Sequence, residues 1–237
     1  MSSSTSQFET GRSDWLEDFS PTTLQLEIAD LIFPYLLELA RENKVESYQG
    51  LVLQIQNDSA EDSEQSRIAR SMVPVSMGKP LGILGRFCEE SSAPLINTLI
   101  VRKGQTDHGS GGLSGAAAEQ NVGNMQKARE ECWVWDWSEI EQNFPAWRDT
   151  VMTAAAQIRS QRKAPGKISK QIAREQLAKY WQDNKDNFDE GGRAFAAKYR
   201  ETILASLLEG IPVEDAFSLA MQGPEEKERY KQKNLSP

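Results

Sequence analysis

The chain has 237 residues, of which 38% are hydrophobic and 26% are charged, an ordinary balance for a globular protein. No apolar run approaches the roughly 20 residues of a membrane-spanning helix, and the first residues lack the apolar core of a signal peptide. The two cysteines, Cys88 and Cys132, are too few and too far apart for a disulfide framework. We therefore expect a cytoplasmic protein without membrane contact.

The net charge of −8 is unevenly distributed along the chain. Residues 1–65 carry three basic and thirteen acidic side chains, whereas residues 152–174 contain no acidic side chain. The cations of that second segment are Arg159, Arg162, Lys163, Lys167, Lys170 and Arg174. Such an asymmetry suggests separate surfaces for different partners.

The first predicted helix follows a disordered lead-in over residues 1–14. Ser20 is a suitable N-cap and Pro21 suits the first helical position, while Pro34 should kink or split the helix. Ser47 suits the cap of a second, short helix, although the alternating pattern of residues 51–56 is typical of a strand. Both interpretations remain open at this point.

Two strands are predicted in the middle of the chain. A helix over about 79–90 precedes the first of them, which covers residues 94–103 and is rich in β-branched side chains. The second covers residues 132–137. Its period of two places three tryptophans on one face: Trp133, Trp135 and Trp137. A glycine-rich loop from Gly104 to Gly115 separates the strands.

The rest of the chain predicts helices. They cover about residues 147–163, 168–185 and 193–209, and a further helix opens at Pro212. We therefore predict an α+β domain over residues 15–145, a helical domain over 146–230 and a disordered tail over 231–237.

Residues 25–115 resemble the winged helix-turn-helix domain of the alkyltransferase-like DNA-repair family. The Ser47-Tyr48 pair matches the helix start of that family, and Gly78 or Gly82 matches the small residue of its recognition helix. Pro94 matches the proline that precedes the strand before the wing. The resemblance implies a winged-helix-like architecture and binding to DNA.

The transfer reaction of that family is not implied. The family has Cys-His-Arg after the proline, whereas this chain has Leu95, Ile96 and Asn97. The thiolate that accepts the alkyl group is therefore missing. We expect a non-enzymatic protein with neither a cofactor nor a metal.

The basic segment is the strongest candidate site in the sequence. Its six cations flank the break at Pro165-Gly166 and are suited to phosphate groups, which predicts a nucleic-acid-binding patch. The leading hypothesis is thus a nucleic-acid-associated or regulatory protein that binds through a basic helical patch.

Two alternatives stay open. The acidic first part, with Glu38, Glu42 and Glu46 about one helical turn apart, suits a protein–protein inhibitor or adaptor that mimics nucleic acid. The glycine-rich loop contains Asp107 and His108, the lone histidine of the chain. An imidazole oriented by a carboxylate suits acid–base chemistry on a nucleotide or phosphate ligand.

Overall fold

The computed structural model describes residues 15–61, 63–101, 122–161, 167–184 and 190–235, and within these ranges most residues are helical. A short helical segment at residues 15–19 comes first. The following elements are α1 (Thr23–Arg41), β1 (Glu46–Ser47), α2 (Tyr48–Asp58), α3 (Glu64–Arg70) and α4 (Gly78–Glu90). A 3-10 turn (Pro74–Ser76) precedes α4, and a second one (Ile96–Leu99) precedes β2 (Ile100–Val101).

The second half of the chain contributes helices that pack around the first half. They are α5 (Val122–Val134), α6 (Ser138–Gln161), α7 (Lys170–Asn184), α8 (Glu190–Lys198), α9 (Arg200–Leu208), α10 (Val213–Ser218) and α11 (Pro224–Asn234). No helix in the described part of the chain is both long enough and apolar enough to cross a membrane.

Helix α1 forms the centre of the fold. It begins later than predicted, because Thr22 and Gln25 form a capping box in which each side chain binds the other residue's backbone N–H. Ser20, predicted as the cap, instead takes a positive φ of 45°. Pro34 lies inside α1 without dividing it, and its side chain is exposed.

The predicted α+β, winged-helix-like architecture is wrong. In the described residues, β1 and β2 have two residues each and pair in parallel, with Glu46 opposite Ile100. Within the strand predicted over residues 94–103, Ile96–Leu99 form a wholly buried 3-10 turn and Ile100–Val101 form β2, while residues 102 and 103 lie outside the described ranges. An apolar run without polar alternation does not distinguish a strand from a buried helical turn, and packing against α1 and α4 decides the outcome.

The tryptophan strand is also absent. Residues 132–134 end helix α5, so the three indole rings do not share one face. Trp137 is buried and donates a hydrogen bond to the carbonyl oxygen of Cys132 at 2.9 Å, whereas Trp135 is 42% exposed. Of the two interpretations left open after Ser47, the structure has the helix, and the Ser47 hydroxyl accepts from the N–H of Gly50 at 2.9 Å.

An aromatic cluster joins the two predicted domains. The ring of Phe33 in α1 lies 4.4 Å from that of Phe144 in α6, and Phe87 in α4 lies 5.0 Å from Trp147. The Trp147 ring also stacks on Trp15, with 6.3 Å between centroids. The boundary predicted between residues 145 and 146 falls inside α6, beside this cluster.

Helix α11 fixes part of the predicted tail to the start of α1. The side-chain oxygen of Asn234 accepts a hydrogen bond from the N–H of Thr23 at 2.8 Å, across 211 residues of sequence. Asn234 and Tyr230 are both buried. The polar composition of this helix suggested fraying, but its few buried side chains hold it in place.

Candidate functional site: an arginine-lined groove

Part of the predicted site lies outside the described residues. This applies to Asp107 and His108, to the loop from Gly104 to Gly115, and to Arg162 and Lys163. The described members of the basic segment are Arg159, Lys167, Lys170 and Arg174, and they fall into two different environments.

Arg159 lies at the end of α6 and binds the protein itself. Its guanidinium donates to the carbonyl oxygen of Pro21, and Nη2 lies 3.3 Å from the hydroxyl of Thr23. Burial lowers the pKa of Arg159, while the nearby Tyr230 and Asp215 act in the opposite direction. This cation therefore joins the end of α6 to the start of α1.

The other three described cations point to solvent. Lys167 precedes α7, and Lys170 and Arg174 lie one turn apart at its start. All three are exposed, and none forms an ion pair with another described residue. Of these, Arg174 borders a groove that extends toward α8 and α9.

One wall of the groove is a face of α7. Arg174, Leu177, Ala178 and Trp181 follow the spacing i, i+3, i+4 and i+7, which places them on one side of a helix. The arginine lies at one end of the row and the half-buried indole at the other.

The opposite wall repeats this spacing. Arg193, Ala196 and Ala197 belong to α8, and Arg200 begins α9 after a break at Tyr199. The small alanine side chains leave space between the walls. Arg193 and Arg200 are exposed and, like Arg174, form no ion pair with any residue in the described ranges.

The groove is both apolar and positively charged. The volume of the groove is about 370 Å³. Phe217 of α10, which is fully buried, lies beneath the groove. None of the described residues that line it is acidic. Three unopposed guanidinium groups beside an apolar surface form a site for an anion that also carries an apolar part. We call this site the arginine groove.

Several described acidic side chains in the first part of the chain bind other groups of the protein. Glu42 pairs with Lys44 at 2.8 Å, and Glu46 accepts from the N–H of Ser47 at 2.6 Å. Arg67 holds three carboxylates, which belong to Glu27, Glu64 and Glu226. Hydrogen bonding to Glu64 raises the pKa of Arg67, with burial opposing it.

A second polar cluster is enclosed in the protein. Asp215 is 1% exposed, and it accepts hydrogen bonds from Tyr230 and from Nε2 of Gln25. Burial raises the pKa of this carboxyl group, although these hydrogen bonds act to lower it. The contacts connect α10 and α11 to the cap of α1, so this cluster has a structural role.

A metal centre is not found within the described ranges. No three side chains of histidine, cysteine, aspartate or glutamate in them are close enough together to hold an ion. Cys88 and Cys132 are buried free thiols, and burial raises the pKa of each to about 12. Neither thiol is therefore an available nucleophile at neutral pH.

The basic segment predicted from the sequence includes Arg174 but not Arg193 or Arg200. A signal was present, because an arginine followed by small or apolar residues three and four positions later occurs in both α7 and α8. Each pattern alone describes only one face of a helix. Recognising the groove required the packing of α9 and α10 against α7, which brings the two faces together.

Comparisons with known proteins give no further guide to the site. No protein-family model, no curated protein and no solved structure matches this chain.

Proposed function

We propose that this protein is a non-enzymatic nucleic-acid-binding protein and that the arginine groove is its binding site. The observation that carries the proposal is the set of three arginines, Arg174, Arg193 and Arg200, around an apolar groove without a described carboxylate. Phosphate groups suit the planar guanidinium fork, and bases suit an apolar wall.

Single strands fit this surface better than a duplex does. A single strand presents bases and phosphates together, and narrow positively charged grooves with apolar walls are typical of its binding sites. The net charge of −8 opposes an extended contact with a duplex, since most of the protein surface repels it. A compact groove limits the contact to a few nucleotides.

The cytoplasm is the proposed location. Its reducing conditions keep cysteines as thiols. Cys88 and Cys132, both buried and free, are compatible with that environment.

Binding of a fluorescent single strand of about ten nucleotides, followed by anisotropy at low salt, tests the proposal. The triple variant Arg174→Ala, Arg193→Ala, Arg200→Ala should bind much more weakly at low salt. Wild-type affinity should fall with rising salt, and the slope should decrease by about 2 in the variant, since each lost phosphate contact removes about 0.7.

A control of equal charge separates the groove from net charge. Lys44, Arg86 and Lys127 are exposed and lie outside the groove. Their triple replacement by alanine also removes three positive charges and should leave binding almost unchanged. Absence of wild-type binding at low salt, or an equal loss in both triple variants, contradicts the proposal.

A further inference from the structure

We infer that the arginine groove recognises the phosphorylated end of a strand, a terminal phosphomonoester, rather than internal phosphodiesters. The inference rests on the proposed function and specifies the ligand group. It comes from a comparison between the charge of the groove and the number of nucleotides that the groove can hold.

The groove holds few nucleotides. Its volume of about 370 Å³ is at the small end of ligand pockets, which range over roughly 300–1,000 Å³. Apolar side chains line the groove between the cations. They are Leu177, Trp181 and the buried Phe217. A groove of this size accommodates a single nucleotide, with its base against the apolar surface.

Three cations are more than one internal nucleotide requires. An internal phosphodiester carries a single negative charge, whereas a phosphomonoester carries about −1.5 to −2 near pH 7 and has three strong acceptor oxygens. A terminal phosphate and the first phosphodiester together bring close to three negative charges. That number matches Arg174, Arg193 and Arg200, which have no carboxylate partner among the described residues.

A basic path leads out of the groove from one end. Lys170 lies one turn before Arg174 on α7, and Lys167 lies just before that helix. Both side chains are exposed and form no ion pair with another described residue. They are positioned to contact the phosphates that follow the first nucleotide. Recognition of an end in the groove is thus combined with non-specific contact along the strand.

The test compares four single strands of one sequence by anisotropy or competition. They carry a 5′-phosphate, a 3′-phosphate, two hydroxyl ends, or no ends because the strand is circular. We expect one phosphorylated strand to bind at least about tenfold more tightly than the hydroxyl and circular strands, as one additional well-placed charge interaction gives. Equal binding of all four overturns the inference but leaves nucleic-acid binding intact. Failure of every strand to bind overturns the proposed function itself.

Two sets of variants locate the preference. Arg193→Ala and Arg200→Ala each remove a cation from the wall opposite Arg174, and each should reduce the preference for a phosphorylated end. The double variant Lys167→Ala, Lys170→Ala should weaken all strands equally and keep the preference. A nucleoside monophosphate should compete more weakly than the phosphorylated strand, since it lacks the following phosphates. Equal competition overturns recognition of a strand end and instead indicates a free-nucleotide site.

Discussion

The hydroxyl of Tyr230 donates a hydrogen bond to Oδ2 of Asp215, and both side chains lie inside the protein. Oδ1 of the same carboxyl group accepts from Nε2 of Gln25 at 2.8 Å. The neighbouring helices α10 and α11 therefore meet the distant helix α1 at one ionisable group. Because burial raises the pKa of Asp215, this group couples the stability of the fold to pH.

Replacement of Asp215 by asparagine should remove that coupling. The native state keeps the proton to a higher pH than the unfolded chain does, so Asp215 stabilises the fold most when it is protonated. Its contribution declines as pH rises from about 4 through the folded pKa. In urea denaturation between about pH 4 and pH 8, the free energy of unfolding of the wild type should decrease relative to Asp215→Asn.

An exposed carboxylate provides the control for this experiment. Asp149→Asn changes a group whose side chain is 65% exposed, and its stability should follow that of the wild type across the same pH range. If Asp215→Asn also gives a curve parallel to the wild type, Asp215 does not titrate with a raised pKa.

Arg159 and Arg174 should respond in opposite ways to alanine replacement. Arg159→Ala removes hydrogen bonds to Pro21 and Thr23 and should lower the free energy of unfolding by about 1.5–3 kcal/mol, as is typical for bonds from charged groups. The folded variant should still bind a single strand. Arg174→Ala should retain stability and lose affinity. Urea denaturation measures the stability of each variant, and anisotropy measures its affinity for the strand. The reverse pattern would assign Arg159 to the binding site.

Glu90 should be intolerant of a change to glutamine. Its two carboxylate oxygens accept from the indole N–H groups of Trp15 and Trp147, at 2.8 and 2.7 Å. An amide has a single acceptor oxygen, so one indole loses its partner, at a cost of about 1–3 kcal/mol. Near-ultraviolet circular dichroism should show altered tryptophan packing. Glu89 is an exposed neighbour, and Glu89→Gln should leave both the free energy of unfolding and the near-ultraviolet spectrum unchanged.

Both thiols should be protected in the folded protein. Because burial raises the pKa of Cys88 and Cys132 to about 12, almost no thiolate is present at about pH 8. A thiol-reactive dye should label the native protein very slowly and should label both cysteines rapidly after unfolding. Rapid labelling of either cysteine before unfolding would show that its helix opens readily.

The helices were more predictable than the strands. Helix α4 was expected over about 79–90 and covers Gly78–Glu90, because its apolar residues follow the helical period. The run that begins at Pro94 has no such period. Its β-branched residues suited a strand, but contacts with α1 and α4 hold residues 96–99 in a 3-10 turn. Contacts between distant segments are not visible in a local pattern.

The sequence predicts only part of the arginine groove, for a similar reason. A run of cations without acids predicts Arg159 and Arg174 equally as nucleic-acid-binding residues. Charge alone does not show that the first binds backbone oxygen inside the fold while the second borders a groove. Arg193 and Arg200 lie outside that run, and only the packing of the helices places them opposite Arg174.

The bond between Asn234 and the N–H of Thr23 has a consequence for biosynthesis. A ribosome makes Thr23 long before Asn234, because 211 positions separate them. The start of α1 therefore lacks this partner while most of the chain is being translated. The native arrangement of α1 is completed only after translation has passed residue 234, so the emerging chain must avoid premature association until then.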